Sequence, residues 1–251
     1  MSSNTDVKLT VDGSTATILF ATEGGLNVMS AEVLEKLAAA VEKVRAAGEV
    51  RMTILRAEGK VFVAGADIKQ MSGYDSAAAL KFSQRGNEVM DTLASLPSIT
   101  VAVMQGAALG GGCEIVLACD FRIATEAVKI GLPETSLGLI PGWGGTQRSW
   151  KLLGPQWARR LVWGAMPLSA ADAKEIGLLD EVVAGPDDLE PAIGNLQKQL
   201  ARGGPCAIAM AKRAFLTGDE PGAFADCFVS NESREGMTAF IEKRKARWME
   251  G

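Results

Sequence analysis

Strand-like and helix-like patterns alternate through the first half of the sequence, with short connections between them. Polar and apolar residues alternate from Val7 to Ala21 around the turn sequence DGST, which predicts a hairpin of two strands. Ser30 then stands at the position of an N-cap, before a helical pattern that ends at Gly48. Such alternation is typical of α/β proteins, in which helices cover a buried, largely parallel sheet. The pattern therefore predicts an α/β fold.

Further predicted strands and helices continue this order. Residues 52–57 predict a strand, residues 58–71 a loop, and residues 75–95 a helix that Pro97 ends. Strands are also predicted for SITVAVM, FRIAT, VKIG and, later, DEVVA, whereas the chain after Gly144 is otherwise mostly helical. A chain of 251 residues with 47% hydrophobic residues is long and apolar enough to bury a full core.

The composition excludes several classes of function. The sequence has no histidine, which rules out Ser-His and Cys-His nucleophiles, histidine-liganded zinc and histidine general bases. Its four cysteines form no CxxC pair, which favours free thiols in a reducing cytoplasm over a disulfide framework or a metal site. A net charge of −4 argues against binding of duplex nucleic acid. No apolar run reaches the roughly 18 residues of a membrane span.

The segment ALGGGCEIVLACD places three glycines before an apolar stretch that contains one carboxylate, Glu114. A glycine turn at the start of a helix exposes backbone N–H groups that can hold an oxyanion, although close helix packing also explains such glycines. A second acid, Glu134, follows Pro133 in a loop of apolar and glycine residues. A carboxylate in such surroundings loses hydration unless it forms a salt bridge, lies on an exposed helix face or has a function. The two acids therefore indicate acid–base chemistry beside a carbonyl group.

The sequence resembles the crotonase superfamily, in particular the enoyl-CoA hydratases, over essentially its whole length. The resemblance is carried by six ordered blocks: GLNVMS (25–30), GKVFVAGADIKQM (59–71), GAALGGGCEIVLACDFRIAT (106–125), GLPETSLGLIPGWGGTQR (131–148), LSAADAKEIGLLDEVV (168–183) and REGMTAFIEKRKARW (234–248). It implies a crotonase-like spiral of ββα repeats over residues 1–195, which holds the active site. It also implies a C-terminal helical region, residues 196–251, that contacts CoA and assembles homotrimers or homohexamers.

The same resemblance implies roles for individual residues. Glu114 and Glu134 fall on the two catalytic glutamates of the hydratases. The backbone amides of Ala66 and Gly111 fall on the oxyanion hole for the thioester carbonyl, and the Gly142 amide on the group that helps to hold the water. Substrate contacts are implied for Ala64, Asp67, Ile68, Leu132, Trp143, Phe240 and Lys243, the last two toward the CoA of a neighbouring subunit. Asp67 is also expected to cap a helix, and the bulk of Trp143 to reshape the acyl pocket.

The implied function is the hydration of trans-2-enoyl-CoA to 3-hydroxyacyl-CoA, a hydro-lyase reaction on a CoA thioester that needs neither cofactor nor metal. The nearest alternatives are a Δ3-Δ2 enoyl-CoA isomerase, which needs one base, and another acyl-CoA lyase or hydrolase of the same fold. Paired carboxylates also fit a glycosidase, but 6% aromatic residues offer few sugar-stacking platforms. The charged tail FIEKRKARW is also explained by a solvated helix face, without any contact to CoA. A non-catalytic role is a remote alternative, because some relatives are RNA-binding proteins, and the acidic net charge argues against it.

Overall fold

The computed structural model describes residues 5–22, 24 and 26–249. Gly25, the first residue of the block 25–30, and the two last residues of the predicted C-terminal region lie outside these ranges. The strands are β1 (Asp6–Asp12), β2 (Thr15–Ala21), β3 (Met52–Ala57), β4 (Val61–Val63), β5 (Ile99–Met104), β6 (Ala107–Leu109), β7 (Phe121–Thr125), β8 (Lys129–Gly131), β9 (Leu168–Ser169) and β10 (Glu181–Val183).

The α-helices of the described ranges lie mainly in the second half of the chain. They are α1 (Ala31–Ala47), α2 (Ile68–Met71), α3 (Ser76–Ala94), α4 (Gly111–Ala118), α5 (Gly145–Trp163), α6 (Ala170–Glu175), α7 (Leu189–Leu200), α8 (Pro205–Thr217), α9 (Glu220–Asp226) and α10 (Asn231–Ile241). Helix α5 is interrupted at Gly154, where the backbone leaves the helical conformation before Pro155. Short 3-10 helices are formed by Glu134–Leu137, Pro186–Asp188 and Arg247–Met249.

Two sheets build the core. The larger has the strand order β1-β2-β3-β5-β7-β10, and all its neighbours are parallel except β1 and β2. The smaller has the order β4-β6-β8-β9, with only β9 antiparallel to its neighbour. The pairs β3–β4, β5–β6 and β7–β8 each give their first strand to the larger sheet and their second to the smaller one, and helices follow each pair. The predicted α/β class and the ββα repeat are therefore confirmed.

Local sequence signals place most of the element ends correctly. The Ser30 side chain accepts a hydrogen bond from the Val33 N–H at 3.2 Å and caps α1, which ends at Gly48 with a φ of 67°. Asp75 caps α3 in the same way through the Ala78 N–H at 2.8 Å. Capping depends on residues three or four positions apart, so the sequence alone is sufficient to predict it.

The predicted loops hold structure that the sequence pattern does not reveal. Residues 58–71 contain β4 and α2, and Glu134 begins a 3-10 helix instead of lying in an irregular loop. The pattern does not predict strands β6 and β9 either. Strands β6 and β9 have three and two residues, too few to show a clear alternation, and they are recognised through their pairing with β4 and β8.

A partly buried ion pair fastens the C-terminal helix α8 to the larger sheet. Lys212, in α8, is 8% exposed. Its Nζ donates to Asp120 Oδ2 at 2.6 Å and to the Ser98 carbonyl at 2.9 Å, and Asp120 accepts a further bond from the Thr100 N–H at 2.7 Å. These contacts lie at the amino ends of β5 and β7. The opposite, carboxyl-end side of the strands leads to the glycine turn and the two acids.

Candidate active site

The three glycines lie in the turn between β6 and α4. Gly110 has a φ of 52°, a conformation that side chains other than glycine rarely adopt. A Cβ on Gly112 would lie 2.2 Å from the Val63 carbonyl oxygen of β4, so only glycine lets α4 approach the smaller sheet this closely. The glycines therefore allow close packing, and they also leave the first-turn N–H groups of α4 without partners inside the helix, as the predicted oxyanion site requires.

The backbone of Ala66 lies beside this turn. The Met29 N–H donates to the Gly65 carbonyl at 2.9 Å and the Asp67 N–H donates to the Met29 carbonyl at 3.0 Å, so the N–H of Ala66 points away from Met29. A Cβ on Gly65 would lie 3.9 Å from the Gly111 nitrogen. The two chain segments predicted to supply oxyanion donors are thus neighbours in space.

Glu114, in the first turn of α4, is 2% exposed. Its Oε1 accepts hydrogen bonds from the Trp143 N–H at 2.7 Å and from the Gly145 N–H at 2.8 Å. Burial raises the pKa of Glu114 to about 7, while these two bonds lower it and the charge of Glu134 raises it. The carboxyl group can therefore change its protonation state near neutral pH.

Glu134 presents its carboxyl group to the same turn. A Cβ on Gly110 would lie 3.1 Å from Glu134 Oε1. In the described ranges, Glu134 Oε2 is buried and has no hydrogen-bond partner. Burial raises the pKa of Glu134 above its ordinary value. A buried carboxyl oxygen without a partner is costly, which identifies it as a position for a bound polar ligand or a proton.

The mutual effect of the two acids leads to a first prediction. Replacing Glu134 by Gln should lower the pKa of Glu114 from about 7, because the like charge that raises it is removed. A carbon-13 NMR titration of labelled glutamate carboxyl groups measures the pKa, with Glu114→Gln used to assign the signal. The exposed Glu126→Gln serves as the control and should leave the pKa in place. An unchanged or higher pKa in Glu134→Gln would show that the acids do not interact.

Trp143 forms an aromatic wall next to the acids. Its side chain is 2% exposed, and its ring meets the Phe82 ring edge-on at 5.3 Å between centroids. Phe82 in turn meets Tyr74 at 5.5 Å. A Cβ on Gly86 would lie 1.9 Å from Trp143 Cδ1, and a Cβ on Gly111 2.6 Å from Trp143 Cζ3. The indole therefore fills the space between α3 and α4. Its backbone N–H on Glu114 is a contact that the sequence did not indicate.

The structure also places the other residues that were predicted to contact substrate or water near the turn. Asp67 Oδ1 accepts from the Lys69 and Gln70 N–H groups at 2.9 and 3.1 Å, so it caps α2 as expected. Ile68 is half exposed and Leu132 is fully buried. The Ala64 N–H donates to the Asn27 carbonyl at 2.8 Å. The Gly142 carbonyl accepts hydrogen bonds from two side chains of α3. The N–H of Gly142, which is the predicted water contact, belongs to the preceding 141–142 peptide.

The structure does not bring Phe240 and Lys243 to the two acids. Phe240 is 85% exposed at the end of α10, and the Lys243 N–H donates to its carbonyl at 3.2 Å. The tail packs instead through Trp248, which lines a cavity of about 600 Å³ together with the amino ends of β2, β3 and β5. The contact of these two side chains with the CoA of a neighbouring subunit therefore stays a prediction.

The sequence pattern did not predict that polar side chains of α3 and α5 lie near the site. Ser83 and Asn87 bind the Gly142 carbonyl, and Arg148 Nη1 donates to the Trp143 carbonyl at 2.7 Å. The available signal was the four-residue spacing of Ser83, Asn87 and Asp91, which forms a polar stripe on a helix whose other face is buried. In the described ranges, no three acidic or cysteine side chains are grouped to hold a metal ion.

The structure thus combines a ββα repeat with two carboxyl groups, those of Glu114 and Glu134, that lie beside the same glycine turn. The model of the enoyl-CoA hydratase/isomerase family matches residues 11–251. The short-chain-enoyl-CoA hydratase of Clostridium acetobutylicum is 35% identical over 251 aligned residues that cover 96% of both chains. The crotonyl-CoA hydratase of Syntrophomonas wolfei is 37% identical over 235 residues, 89% of this chain and 90% of its own. An enoyl-CoA hydratase structure from Bacillus anthracis matches with a TM-score of 0.87 at 32% identity, over 98% of this chain and 100% of that one.

The chain therefore belongs to the enoyl-CoA hydratase/isomerase family of the crotonase superfamily. It is an enzyme of the lyase class, a hydro-lyase, with the crotonase fold, as the sequence predicted. None of the helices in the described ranges is long and apolar enough to cross a membrane.

Proposed function

We propose that this protein adds water to trans-2-enoyl-CoA and forms 3-hydroxyacyl-CoA through a thioester enolate held by two backbone amides. The observation that carries the proposal is the pair of buried acids at the glycine turn. Glu114 is held through Oε1 by two amides, and Glu134 has a buried oxygen without a partner in the described ranges. The acyl-CoA serves as substrate, and the proposed reaction uses no cofactor, metal or nucleic acid.

In this reaction the N–H groups of Ala66 and Gly111 bind the thioester carbonyl oxygen. The two glutamates hold one water with the help of the Gly142 N–H. The water oxygen bonds to C3 while one of its protons passes to Glu114, and the C2–C3 double-bond electrons form the enolate. Glu134 then gives its proton to C2 and the carbonyl re-forms. The proton on Glu114 returns to Glu134 through solvent, so the net change is the addition of one water.

The raised pKa values fit these roles. Burial raises the pKa of Glu134, which favours the protonated form that must donate to C2, and Glu114 can accept a proton with a pKa of about 7. An oxyanion donor is worth on the order of 10²–10³ in rate in enzymes where it has been removed.

An assay with both 2-enoyl-CoA and 3-enoyl-CoA tests this proposal. Hydration is followed by the loss of the 2-enoyl thioester absorbance and by 3-hydroxyacyl-CoA in the product. We expect turnover of the 2-enoyl substrate to exceed that of the 3-enoyl substrate by at least about tenfold, a barrier difference of ~1.4 kcal/mol. Faster conversion of the 3-enoyl substrate to its 2-enoyl isomer would contradict hydration as the main activity and identify an isomerase. Free CoA as the product would identify a hydrolase.

We further propose short acyl groups as substrates, because the buried Trp143 ring occupies space beside Gly111. Replacing Trp143 by Leu should raise kcat/KM for an eight-carbon substrate relative to a four-carbon one by about tenfold or more, since one extra or missing methylene is worth about 10–200-fold in an apolar pocket. Trp150→Leu, at a half-exposed residue of α5, is the control. An unchanged ratio in a folded Trp143→Leu enzyme would place the acyl chain elsewhere.

Assembly into a homotrimer or homohexamer is also part of the proposal. It is supported by large apolar side chains that the C-terminal helices and the turn between α9 and α10 expose, namely Phe215, Phe224, Val229, Phe240 and Ile241. A reducing, cytoplasmic setting is supported by the four cysteines, which are all free thiols.

If Lys243 binds a CoA phosphate in a neighbouring subunit, Lys243→Glu should raise KM for the CoA thioester and leave kcat nearly unchanged. The contact is shared by ground state and transition state, so only binding is lost. The effect should shrink with added salt, because an exposed charge contact is screened within about 8–10 Å. Steady-state kinetics with a pantetheine thioester, which lacks the nucleotide, provides the control. Equal loss with that substrate would show that Lys243 acts through folding or assembly.

A further inference from the structure

Two side chains of α3 hold the carbonyl group of Gly142. Ser83 Oγ donates to this oxygen at 2.6 Å and Asn87 Nδ2 at 2.7 Å. Asn87 Nδ2 also donates to the Ser83 carbonyl at 2.9 Å, which ties the two positions together. Both residues are half-buried. A carbonyl oxygen has two lone pairs, and these two donors use both of them.

The same peptide group carries the N–H that binds Glu114. The peptide bond is planar, so the carbonyl of Gly142 and the N–H of Trp143 point in opposite, fixed directions. That N–H donates to Glu114 Oε1 at 2.7 Å. The two donors of α3 and the carboxylate therefore lie on opposite sides of one rigid unit, and consecutive hydrogen bonds of this kind strengthen one another.

The next peptide, 143–144, is held by Arg148 of α5, which in turn pairs with Asp91 of α3. Arg148 Nη1 donates to the Trp143 carbonyl at 2.7 Å, and its Nη2 pairs with Asp91. Asp91 follows Asn87 by four residues, as Asn87 follows Ser83, so the three lie along one stripe of the helix. Helix α3 therefore holds the 142–143 peptide directly and the 143–144 peptide only through Arg148.

We propose that Ser83 and Asn87 are positioning residues for Glu114 in the hydration reaction, so this inference rests on the function proposed above. Neither side chain touches the substrate. They hold the 142–143 peptide so that its N–H stays on Glu114 Oε1. Because the Gly145 N–H also binds Oε1, the second oxygen of Glu114 is left to accept the proton of the water.

The charge state of Glu114 depends on groups from each element around it. Glu134, from the 3-10 helix, raises its pKa, and Arg148, from α5, lowers it together with the Trp143 and Gly145 amides. Cys113, the neighbour in α4, is neutral because burial raises the pKa of its thiol well above the ordinary value. From α3, Ser83 and Asn87 are uncharged and Asp91 is paired with Arg148. Loss of the Trp143 bond should therefore raise the pKa of Glu114 further.

The test compares Ser83→Ala, Asn87→Leu and their double variant with Ser83→Thr, which keeps the hydroxyl donor. Gln84→Leu, at an exposed position of the same helix, is the control. In the double variant we expect kcat to fall by about 10–100-fold, the range for a displaced catalytic group, with KM within about threefold of wild type. The pKa of Glu114 in the free enzyme, from the carbon-13 titration, should rise above about 7. Ser83→Thr should keep kcat and the pKa of Glu114 closer to the wild-type values than Ser83→Ala does.

Two results would overturn the inference. One is a lower melting temperature with kcat and the pKa of Glu114 unchanged, which indicates a purely structural role. The other is a lower kcat with the pKa unchanged, which places the effect outside the 142–143 peptide. The titration needs no turnover, so it separates this inference from the proposed function. A raised pKa in an enzyme without hydratase activity would support the positioning role and refute hydration. If the double variant does not fold, the single variants decide in the same way.

Discussion

Replacing Glu114 by Gln, or Glu134 by Gln, is expected to lower kcat for 2-enoyl-CoA hydration by about three orders of magnitude. Positioned acids and bases contribute 10²–10⁴-fold each in enzymes, and in the proposed reaction each carboxyl group has a separate proton to move. In that reaction Glu114 accepts the proton of the water, and Glu134 supplies the proton to C2. Glutamine has nearly the same shape as glutamic acid but can do neither.

The contacts of the two acids make glutamine a mild substitution for the fold. In Glu114→Gln the amide oxygen of the new side chain can still accept from the Trp143 and Gly145 N–H groups, which both use the single oxygen Oε1. In Glu134→Gln the new amide nitrogen can take the place of Oε2, which has no hydrogen-bond partner in the described ranges, so no hydrogen bond is lost. Folding is checked by circular dichroism and thermal unfolding, and Glu126→Gln controls for loss of one surface charge. If either variant kept more than about a tenth of kcat, less than ~1.4 kcal/mol of barrier would depend on that acid.

Removing the N–H of Gly111 is expected to lower kcat by about 10²–10³-fold, the loss seen when one oxyanion donor is removed. Alanine is unsuitable for this test, because a Cβ at Gly111 would lie 2.6 Å from Trp143 Cζ3 and would displace the indole ring. Replacing Gly111 by glycolic acid changes the amide to an ester, which deletes the N–H and adds no atom on Cα. The measurement is single-turnover hydration of the 2-enoyl thioester.

A matched ester at Val116, in the same helix and fully buried, removes one ordinary helix bond as the control. That ester should lower the free energy of unfolding by about 1 kcal/mol, the net value of a typical hydrogen bond, and leave kcat unchanged. Equal rate losses from the two esters would mean that the Gly111 amide matters for packing alone. The close fit of α4 against β4 would then explain the three glycines without an oxyanion hole.

Several features of this protein could be predicted from the sequence, because they depend on residues close together in the chain. The α/β class follows from alternating patterns, and the ends of α1 and α3 follow from Ser30, Gly48 and Asp75. The burial of Glu114 follows from its apolar neighbours in α4. Six ordered blocks were sufficient for the family, which the comparisons confirm. Each of these signals is local or is a match of residues in order.

Other features were decided only by the tertiary structure. Which amides hold Glu114 could not be read from the chain, since Trp143 and Gly145 follow it by 29 and 31 residues. The same holds for the bonds from Ser83 and Asn87 to Gly142, which span 59 and 55 residues. Hydrogen bonds between distant segments leave no spacing in the sequence, because they depend on how helices and sheets pack. Local pattern thus determined which residues are available for chemistry, and packing alone decided which of them meet.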